Sequence, residues 1–159
     1  LDGRQTTGKD RRKRMRRNKL NAFLHFVWAT YDRLPLITEE IEREVHRYIE
    51  KVCRDDKCDV LAVGGMSDHV HLLVCMSNTV SIADLMHHVK GGSSRLVTSA
   101  LKPGEWFAWQ GSYGVFSVAI RDKQKVIGYI QNQQRHHREN TLWLEAEETF
   151  ELVETAQTE

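Results

Sequence analysis

The sequence predicts an α+β fold of the ferredoxin-like, split β-α-β kind: an antiparallel sheet with helices on one face, followed by a further C-terminal helix. Three observations predict it. Four short stretches carry strand-like apolar patterns, stretches with apolar residues at helical spacing separate them, and the order along the chain is β-α-β-β-α-β-α. At 159 residues, 40% hydrophobic and 28% charged, the chain has the size and mixture of one globular domain.

Leu20 to Thr30 reads as the first strand. Leu24, Phe26 and Trp28 alternate with Phe23, His25 and Val27, so both faces are apolar and the strand belongs inside the sheet. Thr38 is placed to cap a helix whose first turn holds Glu39, Glu40 and Glu42, which suits the positive end of the dipole. Ile41, Val45, Tyr48, Ile49 and Val52 form its apolar stripe, and it should end near Asp55. Strands at Asp59–Val63 and Val70–Met76 follow, with Gly64 to Asp68 expected as the turn between them. Ser81 caps a helical region from Ile82 to about Leu101, in which Gly91 and Gly92 are expected to cause a break or bend. An aromatic, glycine-containing loop spans Pro103 to Gly114, and Gly114 to Ile120 reads as the fourth strand. Asp122 begins a helix expected to run to about Arg138, and the acidic end offers a short helix with Phe150 and Val153 as anchors.

The net charge of +1 conceals an asymmetry. Residues 1–19 hold nine Lys/Arg against two Asp/Glu, a net of +7, and residues 145–159 hold six Glu and no base. The organisation expected is a basic arm at 1–19, a domain at 20–148 and an acidic tail at 149–159. The arm suits phosphate binding or is a solvated tail. No apolar run approaches the roughly 20 residues that cross a bilayer, and no apolar stretch follows the charged start as in a signal peptide. Cys53, Cys58 and Cys75 are odd in number and lack CxxC spacing. That argues against a disulfide framework or zinc ribbon and suggests a reducing cytoplasm.

The sharpest chemical feature is DHVHLLV, Asp68 to Val74. Residues two apart in a strand share a face about 7 Å apart, so His69 and His71 project together while Val70, Leu72 and Val74 face the other way. Two such imidazoles can share a divalent metal, or can simply line the solvent face of an amphipathic strand. Asp68 either orients His69 or makes the turn. The second feature is KVIGYIQNQQRHH, Lys125 to His137. Tyr129 and Gln133, four apart on a helix, share a face, and His136 and His137 continue near it. A phenol with a pKa near about 10 is a weak nucleophile at neutral pH, and a metal on a phosphate assists its attack by drawing off charge. Taken singly, Tyr129 suits an amphipathic core tyrosine and Gln133 a solvated residue.

These residues resemble the single-tyrosine HUH transposases of the insertion-sequence-200-like class. His69-Val70-His71 matches the histidine-hydrophobic-histidine signature. Tyr129, Gln133, His136 and His137 match the helix motif. WQGSYGVFSV (Trp109 to Val118) and MHHVKGGSSR (Met86 to Arg95) look like two further blocks, in the family's order. Ser112 stands where the family usually has glycine, and the basic arm has no counterpart. The resemblance implies that His69, His71 and Gln133 hold Mg²⁺ or Mn²⁺ and that Tyr129 is the nucleophile, giving a 5′-phosphotyrosine and a free 3′-hydroxyl. It further implies a homodimer, often with the tyrosine serving the partner's histidines, and single-stranded DNA with terminal hairpins as substrate. No membrane and no small-molecule cofactor are expected.

Further DNA contacts suggest themselves. Lys90, Ser93, Ser94 and Arg95 suit phosphates or a solvated helix end. Trp106, Phe107, Trp109 and Tyr113 suit stacking on bases, or packing in the core or a dimer interface. His136 and His137 suit a third metal ligand or DNA. His25 reads as a satisfied sheet histidine, and His87 and His88 as surface residues. Among rival enzymes, a histidine-triad hydrolase needs a third alternating histidine where Leu73 stands, and a two-histidine phosphodiesterase needs two His-x-Thr motifs, which are missing. A replication initiator with the same histidine pair, or a hairpin-binding relative that does not cut, remains as the alternative function.

Overall fold

The computed structural model describes residues 18–150. The basic arm and the acidic tail therefore lie almost wholly outside the described residues, as does Val153. Strands β1 (Phe23–Ala29), β2 (Asp59–Met66), β3 (His69–Cys75) and β4 (Gly114–Val118) form one sheet in the order β2-β3-β1-β4, antiparallel throughout. Helices α1 (Glu39–Asp55) and α2 (Ile82–Leu96) complete the β-α-β-β-α-β arrangement. Helices α3 (Lys123–Gln131) and α4 (Gln133–Glu139) come last.

The alternation in the strands decides what each face does. Phe26 and Trp28 of β1 and Val70, Leu72 and Val74 of β3 pack with Ile41, Val45 and Ile49 of α1 and Leu85, Met86 and Val89 of α2. Each such side chain contributes about 1.5–3 kcal/mol by leaving water. The opposite face carries Phe23, Ala62 and Leu73, against which α3 lays Val126 and Ile130. That second cluster is small, and beside it the same strands present His25, His69 and His71.

Several sequence expectations are corrected. The first strand begins at Phe23 rather than Leu20. Thr38 stands at the N-cap of α1 but its side chain makes no capping bond, whereas Ser81 accepts from the Asp84 N–H at 3.0 Å. Gly64, Gly65 and Met66 are strand rather than turn, pairing with His71, Val70 and His69, so the reversal is confined to Ser67 and Asp68. Gly64 is in the ladder because α3 needs the space: an added Cβ would lie 2.5 Å from the Ile130 carbonyl oxygen. The Gly91-Gly92 pair does not break α2, which runs through it. An added Cβ at Gly92 would lie 2.5 Å from the Tyr48 hydroxyl, so this glycine lets α1 and α2 approach. The helical region does reach Leu101, its last turn, Val97–Leu101, being wound as a π-helix.

The fourth strand stops at Val118, and a 3-10 turn (Ile120–Asp122) precedes α3. The expected single helix to Arg138 is interrupted at Asn132. Its side-chain amide donates to the Gly128 carbonyl at 2.7 Å, an alternative to the helix ladder that Asn readily takes. Beyond α4, a segment crosses back to the sheet and forms a 3-10 turn, Leu144–Glu147. Its buried anchor is Ala146, while Phe150 is exposed.

Candidate active site

Strand geometry brings the two signature histidines to the α3 face of β3, in the middle of the sheet. His69 is paired with Ala29 and Met66, and His71 with Val27 and Gly64. Both are fully buried, so they do not line a solvent face. Their rings lie edge to face, with centroids 5.1 Å apart. Helix α3 then sets Tyr129 edge-on to His71, centroids 5.8 Å apart, in the same chain. The break at Asn132 does not separate Gln133 from the site: it is buried, with Oε1 3.2 Å from His69 Nε2.

Glu147 is the site residue that sequence reasoning missed. It lies in the segment after α4, and its carboxylate accepts from the Tyr129 hydroxyl. The same carboxylate lies 3.3 Å from His71 Nε2 and 3.4 Å from His69 Nε2, with the Gln133 amide nitrogen at 3.5 Å. Within a run of glutamates, no motif or spacing distinguished it. The Tyr129 hydroxyl also accepts from the Trp143 N–H at 3.2 Å.

The supporting bonds fix tautomers. His69 Nδ1 lies 2.7 Å from the Asp68 carboxylate, which can only accept. Asp68 thus both makes the turn and orients His69. His71 Nδ1 is 2.9 Å from His25 Nε2, so His25 is satisfied within the sheet. Burial, reinforced by His71, pushes the His25 pKa down to about 3, and burial lowers that of His71 against the pull of Glu147. Both shifts favour the neutral ring. Burial would raise the Glu147 carboxyl, but hydrogen bonding and charge from His71, then Tyr129 and His69, outweigh it and keep it ionised. Burial, followed by the bond to Glu147, pushes the Tyr129 phenol up to about 12.

This arrangement fits a divalent cation. His69, engaged by Asp68 at Nδ1, turns Nε2 toward Gln133 Oε1 and Glu147 Oε2. His137 adds a buried Nε2 with no hydrogen-bond partner among the described residues, its ring centroid 5.0 Å from that of His69. His69, His137 and Glu147 each offer a donor atom, all within 4.8 Å of one another. His136 lies instead against Tyr129, centroids 4.9 Å apart, and bonds to Thr141.

The family model for IS200-like transposases matches residues 18–133, most of the chain. The chain belongs to the IS200-like transposase family. The ISDra2 transposase TnpA of Deinococcus radiodurans is 26% identical over 114 residues, covering 69% of this chain and 81% of that protein. A solved candidate transposase from D. radiodurans R1 superposes with a TM-score of 0.58 at 27% identity, covering 76% of this transposase and 97% of that chain. A tyrosine transposase associated with REP elements, solved bound to a REP hairpin, shares the fold with a TM-score of 0.59 at 17% identity, covering 77% and 72% of the two chains.

Of the suggested DNA contacts, only His136 and His137 are gathered at this site. Lys90 to Arg95 lie on α2, which covers the opposite face of the sheet. The Lys90 ammonium donates to the carbonyls of Gln110, Gly111 and Ser112 at 2.6, 3.1 and 3.3 Å. Ser93 is fully buried, donates to Val89 and accepts from the Trp109 indole at 3.0 Å, which leaves no hydroxyl for a phosphate. Trp109 and Tyr113 pack against the larger core. Ser94 is half-buried and Arg95 exposed, beside a cavity of about 370 Å³ lined by Tyr48, His87 and His88. Trp106 is exposed and stands edge-on to Tyr31. All three cysteines are free, and no described helix is long and apolar enough to cross a membrane.

Proposed function

We propose that this transposase cleaves and rejoins single-stranded DNA beside hairpins, with Tyr129 as nucleophile and His69, His71 and Gln133 holding Mg²⁺ or Mn²⁺ at the scissile phosphate. The observation that carries the reading is the convergence of Tyr129, His69, His71 and Gln133 within one buried site of one chain. The match to a hairpin-bound neighbour of the same fold supports the choice of substrate.

Tyr129 Oη gives up its proton to solvent and bonds to phosphorus, the bond from phosphorus to the 3′ oxygen breaks, and that oxygen leaves as a 3′-hydroxyl after taking a proton from solvent. A metal held by His69, His71 and Gln133 would supply charge neutralisation at the phosphate and would stabilise the leaving oxygen. The chain's own part is orientation: Asp68 sets the His69 tautomer, His25 steadies His71, and α3 holds the phenol against the imidazoles. The 5′-phosphotyrosine keeps the bond energy for rejoining to a second 3′-hydroxyl. A homodimer would pair two such sites, one for each end of a mobile segment.

Hairpin-bearing single-stranded DNA incubated with the protein and Mn²⁺ should give a protein–DNA adduct that survives denaturation. Tyr129→Phe should abolish the adduct and keep hairpin binding. An adduct formed by the Phe variant would show that another residue attacks. One observation favours a chain that holds hairpins without cutting: the Tyr129 hydroxyl is already engaged by Glu147 and Trp143. Absence of adduct from the wild-type protein, with hairpin binding intact, would support that reading instead.

A further inference from the structure

We infer that Glu147 is an additional, anionic ligand of the metal, carried to the site by the segment that follows α4. The inference rests on the proposed function and deepens it. Four observations carry it.

The first is spacing. A divalent ion with bonds of about 2.1 Å sets neighbouring ligands about 3.0 Å apart in an octahedron and about 3.4 Å apart in a tetrahedron. The donors here lie at those separations: His69 Nε2 to Gln133 Oε1 is 3.2 Å, to Glu147 Oε2 is 3.4 Å, and His71 Nε2 to the Glu147 carboxylate is 3.3 Å. The second is convergence at His69, whose Nε2 faces both Gln133 Oε1 and Glu147 Oε2.

The third is burial without a countercharge. The Glu147 side chain is 13% exposed, and among the described residues no Lys or Arg side chain reaches its carboxylate. Arg33 bonds only the backbone carbonyl of Glu147, at 3.5 Å. A buried carboxylate that no Lys or Arg reaches is costly unless another cation joins it. The fourth is the partnerless His137 Nε2 beside the same cluster. A carboxylate ligand also suits Mg²⁺ and Mn²⁺, which prefer oxygen, better than imidazoles and an amide alone. Because the Tyr129 hydroxyl donates to this same carboxylate, ligand and nucleophile are one hydrogen bond apart.

The test is a Mn²⁺ titration of the full chain, wild type against Glu147→Gln, read by calorimetry and by the electron paramagnetic resonance signal of free Mn²⁺. Binding should weaken at least tenfold in E147Q and recover in part in Glu147→Asp. Hairpin retention in chelator should be unchanged in both, which also shows that they fold. Undiminished Mn²⁺ binding by E147Q overturns the inference, and a simultaneous rise in adduct would make the carboxylate a plug in the phosphate's place. A wild-type chain that binds no Mn²⁺ would instead overturn the metal assignment of the proposed function, and this ligand with it.

Discussion

The two faces of the sheet are built from the same strands and do opposite work. On the face under α1 and α2, β1 and β3 present Phe26, Trp28, Val70, Leu72 and Val74, all fully buried in an apolar layer. On the face under α3, the intervening positions present His25, His69 and His71, just as buried but surrounded by Tyr129, Gln133 and Glu147. One face contributes stability by removing carbon from water. The other uses that stability to hold polar groups that would otherwise be hydrated. The difference shows how a seven-residue strand can be core and active site at once: the period of two separates the tasks.

Substitutions on neighbouring residues of β3 should break this division in opposite ways. Leu72→Ala removes a fully buried side chain from the apolar face and should cost about 2–5 kcal/mol in urea unfolding. Adduct formation by the remaining folded protein should change little. His71→Ala, one residue away, should lower adduct formation roughly hundredfold, equivalent to about 2.7 kcal/mol of barrier. Its unfolding free energy should fall by less than that of Leu72→Ala. If His71→Ala destabilises the fold more than Leu72→Ala while cutting persists, the faces have been assigned the wrong tasks.

A subtler break lies where the second face meets its helix. Gly64→Ala would drive a Cβ to 2.5 Å from the Ile130 carbonyl, which is backbone and cannot rotate away. We expect a cost of about 2–3 kcal/mol. Adduct formation should fall as well, because Ile130 adjoins Tyr129 and the whole of α3 must shift. Gly92→Ala, whose neighbour is the movable end of Tyr48, should cost less and leave cutting intact. Urea unfolding and the adduct assay on the two variants compare them directly.

Much of this was legible in the sequence, and what was not has identifiable causes. The alternation in Phe23–Ala29 and His69–Cys75 marked both strands, and DHVHLLV placed both histidines on one face. Gly64-Gly65 read as a turn because glycine's local signal is the same whether it serves a reversal or a close approach, and only the position of Ile130 separates the two. The same ambiguity hid the role of Gly92. Ser93 and Lys90 read as phosphate contacts because their chemistry suits either task, but the indole of Trp109 and three loop carbonyls engage them. Glu147 lay beyond inference. Its role depends on a segment without periodicity returning to the sheet, a tertiary event that leaves no local pattern.

The smallest expected effect concerns a histidine outside the site. His46 of α1 has a buried Nε2 without a partner among the described residues, and burial lowers its pKa from 6.5 to about 4. Because the folded value lies below the unfolded one, the unfolded chain binds a proton between these pH values that the folded chain refuses. His46 therefore carries no penalty above about pH 6.5, and stability declines as the pH falls from there towards 4. The loss at pH 5 should be about 1–2 kcal/mol, since one pKa unit corresponds to about 1.4 kcal/mol. His46→Phe removes the titration, so the difference in unfolding free energy between variant and wild type should grow in the variant's favour across that window and then level off. His25, held down to about 3 by burial and His71, has the same sign but continues to lower pH, and it is present in both proteins. A difference curve that is flat between pH 6.5 and 4 would mean that His46 reaches water in the folded chain.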